Sequence, residues 1–148
     1  MRRAVAFAFL GASLLFSHTA VRAQGAKTYR ARLSPVPVIA YTATVTGSGS
    51  VTATLIGTKL SIAGTFQGLN TPATVARIHK SPKPGIRGPM LFDLTVSSST
   101  SGTIGGTFDL TAAQVQELAQ GRYYVQLHSE KAPEGNLWGW LLPQENRR

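Results

Sequence analysis

The chain has 148 residues, with 15 Lys and Arg against 6 Asp and Glu and no cysteine. Without cysteine, neither a disulfide nor a lipid-bearing N-terminal cysteine is possible, so a hydrophobic core must supply stability. The formal charge of +9 attracts anionic surfaces over a Debye length of about 8–10 Å, but charge alone defines no patch.

The first segment predicts export. Met1-Arg2-Arg3 is basic, residues 4–16 are apolar and uncharged, and Val21-Arg22-Ala23 has the form of a cleavage site. This order predicts a secretory signal peptide over residues 1–23, too short to span a bilayer comfortably. The mature chain would begin at Gln24 and be secreted or periplasmic, with 12 basic against 6 acidic side chains and a charge of +6. Its 125 residues suffice for one domain, expected over 24–143 with a short tail at 144–148. No later apolar run reaches membrane-spanning length, and the expected state is a monomer.

The mature chain reads as short strands punctuated by Gly, Pro, Ser and Thr, the pattern of an all-β fold. Strands are predicted at 29–33, 40–46 (turning at Gly47-Ser48-Gly49-Ser50), 51–56 and 59–66. In the last of these, Leu60, Ile62, Gly64 and Phe66 share a face. Gly57-Thr58 between the third and fourth predicts a type II′ hairpin, because glycine stands at the first central position. Further strands are predicted at 75–80, then at 90–96 with Met90, Phe92, Leu94 and Val96 on one face, and at 103–110, 123–129 and 137–142. About eight such strands suit an antiparallel β-sandwich, Greek-key and immunoglobulin-like or superoxide-dismutase-like. One short helix is predicted near 111–120, where Thr111 and Gln114 form a capping box, Leu110 and Val115 a hydrophobic staple, and Gly121 the stop.

The candidate chemistry gathers around two histidines. Alternation places Arg77 and His79 on one face of their strand, opposite Ala76 and Ile78; it likewise sets Tyr124, Gln126 and His128 opposite Tyr123, Val125 and Leu127. Both histidines then look away from the core, beside Pro/Gly loops. They either brace strand–loop junctions through backbone hydrogen bonds or share an anion or a divalent metal, although two ligands fall short of the three or four usual for zinc. Arg77, His79, Lys80, Lys83 and Arg87 form a basic loop with no acid among them, suited to a carboxylate, sulfate or phosphate. Trp138 and Trp140 share a face opposite Leu137 and Leu141, and an exposed one would stack on a sugar or pin a partner. The candidate ligand-binding residues are therefore Arg77, His79, Lys83, Arg87, His128 and Trp138. Nucleophile elbows, paired carboxylates and phosphate-binding glycine fingerprints are missing from the sequence, and no enzymatic activity or cofactor is expected.

Two matched segments carry a resemblance. One runs Thr74-Val75-Ala76-Arg77-Ile78-His79 and closes on Gly85-Ile86-Arg87-Gly88-Pro89; the other is Tyr124-Val125-Gln126-Leu127-His128, with Pro133, Gly135 and Gly139 after it. Together with Leu33, Pro35 and Pro37, Gly68-Leu69 and Pro72, and the helix between Leu110 and Leu118, they resemble the CHRD domain, a module of chordin and of microbial secreted proteins. The resemblance implies an all-β extracellular module without assigned enzymatic chemistry. It suggests a binding or structural role toward an extracellular or periplasmic protein; the basic loop over 77–87 separately suggests an anionic polymer such as a glycan, with nucleic acid not expected. The chain departs from the family at Arg77, where a histidine is common, and at Asn136 and Trp138, where Glu and Arg are common.

Overall fold

A computed structural model describes residues 25–37 and 44–145. The predicted signal peptide, residues 40–43 of the predicted second strand and residues 146–148 lie outside these. Among the described residues are nine strands: β1 (Lys27–Pro35), β2 (Ser48–Ile56), β3 (Lys59–Gln67), β4 (Ala73–Lys80), β5 (Met90–Val96), β6 (Gly102–Asp109), β7 (Tyr123–Ser129), β8 (Ala132–Trp140) and β9 (Leu142–Pro143). A single helix, α1 (Ala112–Ala119), lies between β6 and β7.

All pairings are antiparallel, and the order β2-β3-β6-β5-β4-β7-β8-β1 closes on itself because β1 also pairs with β2. The expected sandwich is therefore corrected to an eight-stranded closed barrel. Its two seams are short: β5 meets β6 only at Thr95–Gly105 and Val96–Ile104, and β1 meets β8 only at Ser34–Trp138 and Pro35–Leu137. Near its start β1 also takes up β9, pairing Arg30 with Leu142. Alternation reveals which side of a strand is buried but not whether the outermost strands meet. Here they do, which removes the free edges that two stacked sheets would expose.

The core follows the period of two. Tyr29, Ala31 and Leu33 point inward from β1, Val51, Ala53 and Leu55 from β2, Leu60, Ile62 and Phe66 from β3, and Tyr123, Val125 and Leu127 from β7. Gly57 has φ +62° and stands at the first central position between Ile56 and Lys59, as a II′ turn requires. The capping box at Thr111 forms in both directions. At the other end Gly121 N–H donates to Leu118 O and Arg122 N–H to Glu117 O, a Schellman stop. Leu118 and Leu110 are buried, so α1 docks on the barrel core.

Three local expectations change. Ser48 to Ser50 belong to β2 rather than to a turn, while the described residues just before them form no strand. Met90 is exposed instead of facing the core, because a bulge between Ile78 and His79 shifts the phase and sets Met90 opposite His79. The Pro133–Gly135 stretch is not a loop but part of β8, lying in the irregularity of the β7–β8 ladder between the Leu127–Leu137 and Ser129–Ala132 pairs.

Candidate functional site

Strand β7 is buried along its whole length, so its outward side must be covered as well as its core side. The cover consists of the 81–89 loop after β4 and the start of β8. His79 Nδ1 lies 3.0 Å from Gly88 O, and His128 Nδ1 lies 2.7 Å from Pro133 O. Gln126 donates from Nε2 to Glu134 O at 2.8 Å, and Arg87 donates from Nη1 to the same carbonyl at 3.1 Å, knitting the two covers together. Gly135, with φ +126°, lets the β8 backbone approach: a Cβ there would stand 2.3 Å from Gln126 Nε2. Asn136, one of the departures from the family pattern, is fully buried and donates to Thr46 O at 2.6 Å.

The histidine rings have their tautomer set by these contacts. A carbonyl only accepts, so in the neutral form of each ring Nδ1 carries the proton and Nε2 the lone pair. Both Nε2 atoms are buried with no hydrogen-bond partner. Burial holds the His79 pKa below its ordinary value; the Gly88 carbonyl opposes that, while the nearby charges of His128, Arg77 and Arg87 reinforce it. Among the described residues, no group of three or more His, Cys, Asp and Glu gathers at a common point.

Aromatic rings extend this outer layer. His79 stacks on Tyr124 with centroids 5.0 Å apart, Tyr124 lies 5.0 Å from Trp140, and Trp138 meets Trp140 edge-on at 4.7 Å. Arg87 lies over the Trp138 ring at 5.7 Å, within cation–π range. Trp138 and Trp140 are half-buried and face outward, opposite Leu137 and Leu141.

The basic loop is divided by its partners. Arg77 is paired with Asp93 at 2.9 Å, Lys80 with Glu117, and His79 is turned under the loop. Lys83 and Arg87 are exposed, and Arg87 is the one held beside an aromatic ring. Glu117 also accepts from Tyr123 OH at 2.9 Å and lies 3.7 Å from Arg122, fastening α1 to β4 and β7. Lys80, foremost, lowers the Glu117 pKa.

A second basic feature emerges only from the fold. Arg30 and Arg32 project outward from β1, between the inward Tyr29, Ala31 and Leu33. Across the seam Arg30 pairs with Leu142 and Ser34 with Trp138, and the same register sets Arg32 level with Trp140. Arg30, Arg32, Ser34, Trp138, Trp140 and Gln144 line a shallow groove of about 440 Å³. Neither guanidinium has an acidic partner among the described residues. Gly139 makes the approach possible, since a Cβ there would stand 2.3 Å from Arg32 O. Alternation along β1 contained the signal that both arginines face outward; nothing local to β1 indicated that they flank two tryptophans more than a hundred residues away.

The molecule is thus an eight-stranded antiparallel barrel that carries a loop-covered aromatic and histidine layer on one side. The chain belongs to the CHRD domain family, whose profile matches residues 29–141. That match spans all of β1 to β8 apart from the first two residues of β1. No curated protein and no solved structure is significantly similar to it.

Proposed function

We propose that this protein is an exported, non-catalytic binding module that holds an acidic glycan in the groove along the β1–β8 seam. One observation carries the reading: Arg30 and Arg32, without acidic partners among the described residues, stand in register beside the outward rings of Trp138 and Trp140. Guanidinium groups accept carboxylate or sulfate in a bidentate fork, and indole faces stack on sugar rings, so the two residue types together match a charged saccharide. Arg87, held over Trp138, extends the positive rim. The basic start of the chain and the apolar run after it support export. Among the described residues no helix is long and apolar enough to cross a membrane.

The test is affinity for a soluble polyuronate against a neutral dextran of equal length. The reading predicts saturable binding to the polyuronate that weakens steeply with salt. Arg30→Ala with Arg32→Ala should lower it at least about tenfold, equivalent to about 1.4 kcal/mol. Equal affinity for the neutral polymer, or binding indifferent to both substitutions, would overturn it.

A further inference from the structure

We propose that the glycan site does not end at the seam but continues across β1 onto β2 and β3, as a track for about three or more consecutive sugar units of a flexible acidic polysaccharide, with Arg32 at its middle. The inference rests on the acidic-glycan reading of the seam and gives that ligand a length. Its ground is the register. Arg32 is level with Trp140 on one side and pairs with Ser50 on the other, and Ser50 pairs with Thr65. All four point outward, because their neighbours Leu33, Val51, Phe66 and Leu141 point into the core. Trp140, Arg32, Ser50 and Thr65 thus form one row across β8, β1, β2 and β3. At the usual strand spacing of about 4.8 Å the row is about 14 Å long, with room for about one sugar ring per spacing. The surface along it is continuous. Beyond the seam groove lies a depression of about 350 Å³ with Arg30, Arg32, Ser50 and Thr52 in its wall. A further one of about 440 Å³ has Arg32, Ser50, Thr65 and Gln67. Arg32 lines all three and joins them.

The chemistry changes along the row. The indole of Trp140 offers a face for one sugar ring, and the guanidinium groups of Arg30 and Arg32 take a carboxylate or sulfate. The hydroxyls of Ser50 and Thr65, both exposed, can each donate to and accept from the hydroxyls of a sugar. Ser50, Thr52, Thr65 and Gln67 are all uncharged, so this half of the track reads hydrogen bonds rather than charge. A ligand that fills the row stacks one sugar, pairs the acidic group of the next and hydrogen-bonds a third. A disaccharide reaches only the aromatic and cationic parts. The row crosses a curved wall, since the strands close into a barrel, and a chain must bend to follow it. A rigid crystalline polymer would touch it only in part. Thr103 on β6 pairs with Thr65 and is also exposed, which leaves the hydroxyl end open to a longer chain.

The probes are a uronate disaccharide and a uronate hexasaccharide, titrated into the purified protein at one fixed salt concentration. The hexasaccharide should bind at least about tenfold more tightly. Ser50→Ala with Thr65→Val removes both hydroxyls and leaves the charge unchanged. It should weaken the hexasaccharide about fivefold or more, as loss of one or two hydrogen bonds does, and leave the disaccharide within about twofold. Should that variant fail to fold, amide resonances of the wild type decide: those of Ser50 and Thr65 should move with the hexasaccharide and not with the disaccharide. A hexasaccharide no tighter than the disaccharide, an undiminished hexasaccharide affinity in the folded variant, or β2 and β3 amides that stay still would each overturn the track while the seam groove stands. Binding of neither oligouronate would overturn the glycan reading itself, and the track with it.

Discussion

Replacing Gly139 with alanine tests the seam that brings Arg32 beside the tryptophans. The new Cβ would stand 2.3 Å from Arg32 O and 3.2 Å from a Leu33 methyl, whereas ordinary contact begins at 3.4 Å. The obstacle is backbone, not the end of a flexible side chain, so β1 must retreat from β8 by roughly an ångström of the contact distance. Overpacking of this kind costs about 1–3 kcal/mol, and loosening the two-pair ladder at Ser34–Trp138 and Pro35–Leu137 adds about 1 kcal/mol per hydrogen bond lost. The expected total is about 2–4 kcal/mol. For a domain of this size that corresponds to a melting temperature lower by about 8–15 °C. Thermal unfolding followed by tryptophan fluorescence measures it, with Gly25→Ala as the control, because nothing lies within 4 Å of that Cβ. A Gly139→Ala protein melting within a degree or two of wild type would refute the close approach of β1 to β8.

Other substitutions examine the supports around the site. Thr111→Ala removes the cap of α1 and should cost about 1 kcal/mol, read as a lower urea midpoint at unchanged slope. Glu117→Gln keeps a partner for Tyr123 OH but loses the ion pairs with Lys80 and Arg122; about 0.5–1 kcal/mol is expected, as for a partly exposed pair. The same carboxylate gives a pH dependence. Its folded pKa is lowered, chiefly by Lys80, so its contribution is complete above the ordinary value of 4.5 and is lost as pH falls through the folded value. The gap between the urea midpoints of wild type and Glu117→Gln should therefore begin to narrow below pH 4.5 and close once the pH is below the folded value, and a gap that does not change with pH would show that the charge is not responsible.

Much of the fold was legible because alternation is a local property. The inward faces of β1, β3, β6 and β7, the turn at Gly57 and the caps of α1 each depend on residues a few positions apart. Closure of the barrel was not legible, since it depends on β1 meeting β8 from the far end of the chain. Met90 lost its predicted face to a bulge, which changes the phase without leaving a composition signal. Pro133 and Gly135 have the composition of a loop, yet they lie within β8, where the irregular ladder tolerates them. The outward placement of His79, His128, Trp138 and Trp140 follows from period two, while the covers that bury His128 do not. Arg30 and Arg32 are scattered charges until the register across the seam sets them beside the tryptophans.

Trp138 and Trp140 are the only two tryptophans in the chain, which makes intrinsic fluorescence a direct report on the groove. Titration with a short oligouronate should shift and saturate the emission at low salt. In Arg30→Ala with Arg32→Ala the change should require at least about tenfold more ligand, and it should be absent with a neutral oligosaccharide. Emission that stays constant while the oligouronate binds, or that responds equally to the neutral sugar, would contradict the assignment of the groove as an acidic-glycan site.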